Sequence, residues 1–128
     1  MENPAGKSAL GLDVNVASLL AYIPVCLVGL IVSIIIIVTD KTNKVARFHA
    51  FQSILLHALF IVCYIGVVVF IMAGAAAQSS LISMFGGLLW FVVLIGFLGM
   101  AILCMVKAFG GQIFKLPIIG GLADNWSN

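Results

Sequence analysis

Three long apolar stretches dominate this 128-residue chain, over about residues 14–38, 54–77 and 82–106. An α-helix rises 1.5 Å per residue, so each stretch is long enough to cross a hydrocarbon core of roughly 30 Å. A lone strand would leave its backbone unpaired in lipid, so helices are favoured even for the β-branched run 33–38. The sequence therefore predicts an all-α integral membrane protein. Its 128 residues form a single membrane domain, a bundle of about three transmembrane helices.

The polar residues are too few to form the surface of a soluble domain. The chain is 64% hydrophobic and 8% charged, whereas soluble domains are about half apolar and about a quarter charged. We therefore expect the lipid bilayer to be the main partner of the exposed surface. A net charge of +2, with aromatic residues deep inside apolar runs, also argues against a nucleic-acid partner.

The first stretch is expected to stay in the mature chain rather than to be removed as a signal peptide. Acidic Glu2 and Pro4 precede it, and it is too long for the apolar region of a cleavable signal. Pro24 lies inside the stretch and removes one backbone donor, which predicts a kink near Tyr22.

The C-terminal tail, residues 112–128, is too short and too polar for a fourth span. Gly110 and Gly111 end the third helix, and Pro117 prevents residues 114–116 from continuing as a helix. The tail still carries several large apolar side chains: Leu116, Ile118, Ile119, Leu122 and Trp126. We predict an interfacial C-terminal segment.

The basic residues predict an orientation in the membrane, since Lys and Arg are retained on the cytoplasmic side. Five of the six flank the first connection or follow the third stretch, and the second connection, around residues 78–80, has none. Those five are Lys41, Lys44, Arg47, Lys107 and Lys115. This distribution predicts an external N-terminus, a cytoplasmic C-terminus and three spans rather than two or four. Lys7 is the exception, because it precedes the first stretch and would lie on the external side in this orientation.

Two histidines and a serine repeat at helical spacing, since His49, Ser53 and His57 are four residues apart. They share one face of the second helix, with Gln52 beside them. The two imidazoles would be about 12 Å apart along the axis, too far to share one metal ion. The pattern favours interfacial polar groups that hydrogen-bond to neighbouring helices.

Catalysis, cofactor binding and metal binding are not expected. A Ser–His pair at helical spacing lacks the orienting third group and the oxyanion donor that a nucleophile needs. No Asp or Glu lies inside the three stretches, which weakens a proton-driven transporter as an interpretation. The three cysteines fall one per stretch, at positions 26, 63 and 104, and are interpreted as small apolar fillers.

Three sequence blocks resemble one family. Residues 11–22 contain GL..N.A.LLAY, residues 44–56 read KVARFHAFQSILL, and residues 106–124 read VKAFGGQIFKLPIIGGLAD. Together they resemble the small prokaryotic membrane proteins similar to Tic-twenty, the import component of the chloroplast inner envelope, a group that includes the MamF-type magnetosome proteins. Two features depart from that pattern: Ala46 separates Val45 from Arg47, and the chloroplast members have four spans.

The resemblance implies a prokaryotic cell (inner) membrane or a membrane derived from it. Its chloroplast members are linked to a protein-conducting channel, and its magnetosome members to crystal size and membrane organisation. We therefore expect a non-enzymatic structural, scaffolding or translocation-associated component, bound to itself or to other membrane proteins. The alternative is a small oligomeric channel or transporter.

The second and third blocks both fall on the predicted cytoplasmic face, so we expect them to meet there. This hypothesis defines a candidate cytoplasmic polar patch of seven residues: Arg47, His49, Gln52, Ser53, Lys107, Lys115 and Pro117.

Overall fold

The computed structural model describes residues 6–25 and 27–128. They form five α-helices: α1 (Val14–Ala21), α2 (Val28–Thr39), α3 (Lys44–Ala76), α4 (Ser80–Phe109) and α5 (Ile119–Ser127). No strand occurs within this part of the chain, which confirms the all-α prediction. Glu2, Pro4 and Cys26, which entered the sequence arguments, lie outside the described residues.

Helices α3 and α4 are the two described helices that are long and apolar enough to cross a membrane. They have 33 and 30 residues, or about 50 Å and 45 Å at 1.5 Å per residue. The predicted third span lies inside α4, and the predicted second span lies inside α3 except for its last residue, Ala77. A side-chain oxygen caps each helix, since Asn43 accepts from the amides of Val45 and Ala46, and Ser79 accepts from Ile82.

Close backbone approach holds these two helices together as a hairpin. A Cβ added at Gly74 would lie 2.9 Å from the Ser83 nitrogen, and one added at Gly86 would collide with Ile71. Lipid removes the usual hydrophobic force between helices, so small residues at the contact allow the dispersion contacts that replace it.

The first apolar stretch does not form one continuous helix, and in this respect the predicted span over residues 14–38 is wrong. It divides into α1, of 8 residues, and α2, of 12 residues. Pro24 supplies no amide to continue α1 and disfavours helical backbone at Ile23. Leu27, with φ of 62°, then starts α2 in a new direction.

Helices α1 and α2 run antiparallel, as a short helical hairpin. Their joined ends meet where the Ser33 hydroxyl lies 3.3 Å from the Ala21 carbonyl oxygen. Their open ends meet where the Ala9 amide donates to Asp40 Oδ2 over 3.0 Å. At 1.5 Å per residue, α1 is about 12 Å long and α2 about 18 Å, so neither alone crosses a 30 Å core.

Two apolar clusters fix this hairpin against the long helices. On one side of α1, buried alanines and valines from α1 and α3 surround Ile36 of α2. On the other side, Tyr22 is buried among side chains of α3, α4 and the tail: Leu56, Phe97, Ala101, Cys104, Ala108 and Leu116. The hairpin therefore fills one half of the molecule, beside the first turns of α3 and the last turns of α4.

The hairpin brings the N-terminal segment to the same end as the C-terminal tail. Asp40 is bonded to Ala9, and Lys44, four residues further on, donates to Asn128 Oδ1 over 3.2 Å. Residues joined this closely cannot lie on opposite faces of a bilayer. In the described structure the N-terminal segment and the tail therefore lie at the same end of the molecule, whereas a single crossing by the first stretch would separate them.

The tight turn of the hairpin predicts the effect of a substitution at Gly29. An added Cβ would lie 2.5 Å from the Ala21 carbonyl oxygen and 2.6 Å from that of Ile23, and backbone atoms have little freedom to move aside. We expect Gly29→Ala to lower the free energy of unfolding by about 1–3 kcal/mol, the usual cost of overpacking. Thermal unfolding in detergent measures this effect.

Gly66→Ala is the matched control, since an added Cβ at Gly66 of α3 meets nothing within 4 Å. This variant should leave the midpoint temperature of thermal unfolding unchanged or raise it slightly, because Ala has a higher helix propensity than Gly. Equal midpoints for the Gly29 variant and the unsubstituted chain would contradict the antiparallel hairpin.

Candidate functional site

The polar residues of the second sequence block are buried in a hydrogen-bonded cluster rather than displayed on a surface. His49, Gln52 and Ser53 are each at most 2% exposed, and all three lie in the first three turns of α3. Their partners come from the α1–α2 turn and from the tail. The cluster therefore joins the parts of the chain that carry the three blocks.

Gln52 is the centre of this cluster. Its Nε2 donates to the Phe114 carbonyl over 2.9 Å, and its Oε1 accepts from the Leu116 amide over 3.1 Å. A carbonyl at one position and an amide two positions later point to the same side of an extended chain. The Gln52 amide thus pairs with the tail as a neighbouring parallel strand would.

The second Nε2 proton of Gln52 fixes the roles of Tyr22 and His49. It is donated to the Tyr22 hydroxyl over 3.0 Å, so that oxygen acts as an acceptor. The hydroxyl proton is then free for His49 Nδ1, which lies 3.2 Å away. His49 is accordingly assigned the neutral form that carries its proton on Nε2.

Ser53 satisfies a backbone group at the break in the first stretch, and His57 bonds to a carbonyl within α3. The Ser53 hydroxyl donates to the Ala21 carbonyl over 2.5 Å, a group that the end of α1 would otherwise leave unpaired. His57 Nδ1 lies 2.8 Å from the Ser53 carbonyl oxygen and donates to it. Irregular backbone is tolerated at membrane depth where neighbouring helices supply such partners.

Arg47 lies at the edge of the cluster and contacts the end of α2. Its Nη1 donates to the carbonyls of Ile37 and Asp40, each over 3.1 Å. Its guanidinium also lies 5.5 Å from the centre of the Phe51 ring, which is within the range of cation–π attraction.

The remaining candidates, Lys107, Lys115 and Pro117, lie on the surface. Lys107 donates to Gln112 over 3.0 Å, and Lys115 forms a 2.7 Å ion pair with Asp124. The structure thus brings the second and third blocks together, as expected. It does so through Gln52 and its backbone partners, while the lysines remain outside that cluster.

Tyr22 and Asp40 are structural partners that the sequence analysis did not select. Tyr22 is fully buried and links Gln52 to His49. Asp40 is 2% exposed, and its carboxylate accepts from the amides of Ala9 and Asn43. The sequence signals for them were the position of Tyr22 near Pro24 and that of Asp40 after an apolar run. Neither signal predicts which residue the side chain would bond to.

Two cavities in the described structure are lined mainly by apolar side chains. One, of about 240 Å³, lies at the tip of the α1–α2 hairpin and is lined by Pro24, Leu27, His57, Phe60, Ile61 and Phe97. Within residues 6–25 and 27–128, no three His, Cys, Asp or Glu side chains come close enough to hold a metal ion. Of the cysteines described, Cys104 is buried and Cys63 half-buried.

Comparison with known proteins identifies the family. Residues 11–123 match the model of the MamF/MmsF family, described as the magnetosome magnetite crystal formation protein family. The chain belongs to the MamF/MmsF family. The resemblance to MamF-type proteins is thereby confirmed, and the wider resemblance to Tic-twenty-like proteins stays a prediction.

Two archaeal relatives cover nearly the same length. A UPF0132 membrane protein of Methanocaldococcus jannaschii is 37% identical over 122 residues, 95% of this chain and 96% of the relative. One of Archaeoglobus fulgidus is 32% identical over 118 residues, with coverage of 86% and 91%. No solved structure matches the chain. Together with the long apolar helices, these names identify a membrane protein.

The pairing at Gln52 predicts that this one side chain holds the tail in place. We expect Gln52→Met, which keeps the length and removes the amide, to leave the partly buried Phe114 carbonyl and the buried Leu116 amide unpaired. Each such group costs about 1–3 kcal/mol. Hydrogen exchange of a peptide covering residues 113–118 should become faster.

Gln112→Met is the control, since Gln112 is exposed and its side chain bonds to Lys107 rather than to the α3 cluster. It should not change that exchange. Protection of the Leu116 amide that survives in Gln52→Met would refute the assigned role of Gln52.

Proposed function

We propose that this chain is a non-enzymatic structural component of a prokaryotic membrane. The observation that carries the proposal is the use of the buried polar side chains. His49, Gln52 and Ser53 each bond to a backbone or side-chain group of the same chain. These side chains serve to join the hairpin, α3 and the tail into one unit rather than to bind a substrate.

The outer faces of α3 and α4 support a role in association with other membrane proteins or with a second copy. Large apolar side chains are exposed in α3 from Leu59 onward and throughout α4, among them Val62 and Val92 at 67% exposure each. Gly66, Gly87, Gly96 and Gly99 face open space, which permits close approach of another helix. The description of the family as magnetosome magnetite crystal formation proteins is consistent with a component that organises a membrane.

The charge distribution supports an orientation with both termini in the cytoplasm. All six Lys and Arg residues lie at the end that holds the α1–α2 hairpin opening and the tail. The link between α3 and α4 carries no charge. Because basic residues are retained in the cytoplasm, we propose that α3 and α4 cross the membrane. On this proposal the α1–α2 hairpin enters and leaves from the cytoplasmic side.

Labelling of single cysteines in a chain whose three native cysteines are replaced tests this topology. Lys7→Cys, Thr42→Cys and Asn125→Cys lie at exposed positions of the cationic end, and Ser80→Cys lies at the other end. An impermeant maleimide added to intact cells should modify the Ser80 variant and spare the other three. If the impermeant maleimide modified Lys7→Cys but not Asn125→Cys, the first stretch would cross the membrane once, as the sequence predicted.

Cross-linking in native membranes tests the structural role. In the same background, Val62→Cys and Val92→Cys should give defined cross-linked bands, since both side chains point away from the molecule. Val67→Cys, at 8% exposure between α3 and α4, is the matched control and should give none.

Liposomes that contain the purified chain test the alternative of an oligomeric channel or transporter. A panel of ions, small solutes and an unfolded peptide should show no flux above that of empty vesicles. Flux of any of them would replace the structural role with the channel.

A further inference from the structure

The short C-terminal helix has two unlike faces. Its small residues Gly120, Ala123 and Ser127 are buried against the rest of the molecule. An added Cβ at Gly120 would lie 2.8 Å from the Lys115 Cα, so this face has no room for larger side chains. The opposite face displays Ile118, Leu122 and Trp126, which are 87%, 42% and 50% exposed.

Cationic side chains bracket that helix. Lys115 precedes α5 and pairs with Asp124 inside it, and Lys44 donates to Asn128 at its end. Arg47 lies over the Phe51 ring, which meets the Trp126 ring edge-on at 5.9 Å between centroids. Three cations thus surround α5, while Asp124 is the one carboxylate that pairs with them in the described part of the chain.

The position of α5 relative to the long helices gives its level in the membrane. It packs against the first turns of α3, at the end of the molecule where all Lys and Arg residues lie. If α3 and α4 cross the bilayer, as proposed above, α5 lies at the boundary between hydrocarbon and headgroups. A helix with an apolar stripe beside basic residues is suited to this level, and tryptophan is enriched there.

The exposed stripe is too small to be a typical protein interface. A stable interface buries about 800 Å² on each partner, and even a large aromatic side chain contributes at most about 250 Å². A membrane surface can bind a stripe of this size without the buried area that a protein interface requires. Anionic headgroups also complement the surplus of positive charge.

We propose that α5, with Lys44, Arg47 and Lys115, forms a docking surface for anionic phospholipid headgroups. Ile118, Leu122 and Trp126 enter the acyl boundary, and the cations select phosphate-bearing anionic lipids around them. This proposal rests on the crossing of the membrane by α3 and α4. Its test reads a single tryptophan and is independent of cross-linking and flux.

The chain has two tryptophans, which allows each to be observed alone. Trp90→Phe leaves Trp126 on α5. Trp126→Phe leaves Trp90, which packs against Tyr64 in the α3–α4 hairpin. Each full-length variant is placed in phosphatidylcholine vesicles that contain phosphatidylglycerol, with bromine at shallow or deep acyl positions.

We expect shallow bromine to quench Trp126 more than deep bromine does, and the reverse for Trp90. At equal mole fraction, brominated phosphatidylglycerol should associate beside Trp126 about fivefold better than brominated phosphatidylcholine, the attraction typical of one basic residue at an anionic surface. In the Trp90→Phe chain, Lys44→Gln with Lys115→Gln should reduce that preference, because it removes two of the three cations and leaves Arg47.

Lys7→Gln with Lys41→Gln is the matched control, because it removes the same charge from the same end of the molecule. Lys7 lies in the N-terminal loop, and Lys41 donates to the Ile37 carbonyl of α2. This pair should leave the preference unchanged.

Three results would overturn the proposal. Quenching of Trp126 by aqueous iodide but not by bromine would mean that α5 faces water. Protection from both quenchers would mean that protein covers the stripe. Equal loss of the preference in both lysine pairs would mean that general charge, rather than the α5 surface, selects the lipid.

Discussion

Every interruption of a helix at membrane depth must find partners for its backbone groups, because lipid offers none. In this chain the interruption falls between α1 and α2, and the rest of the structure is arranged around it. Ser53 of α3 bonds to the Ala21 carbonyl, with Ser33 of α2 beside the same oxygen. Gly29 lets the two short helices approach closely enough for these bonds to form.

The same principle explains why the tail depends on α3. Residues 112–116 form no regular secondary structure. They include a partly buried carbonyl at Phe114 and a buried amide at Leu116, which have no neighbouring strand. The Gln52 amide takes the place of that strand. Since Gln52 also bonds to Tyr22, one side chain couples the tail to the turn of the hairpin, and the two structures stabilise each other.

This coupling gives the molecule two dissimilar ends. At one end the hairpin, the start of α3, the end of α4 and α5 pack into a cluster with all the basic residues. At the other end α3 and α4 continue as a two-helix hairpin with apolar outer faces. Such an asymmetric molecule is suited to a fixed orientation in a membrane and to contacts with lipids or with other membrane proteins, and these are the roles proposed for it.

The sequence by itself determined the helical class, the membrane as solvent and the position of the two long helices, since hydrophobic length and backbone satisfaction leave no other solution. It also selected Gln52, Ser53 and His49 as polar groups with a structural use. Two features were decided only by the tertiary structure. One was the reversal at Pro24: a proline permits either a kink or a break, and packing of Gly29 against Ala21 and Ile23 selects the break. The other was the pairing of Gln52 with the tail, because no local pattern identifies a partner more than 60 residues away.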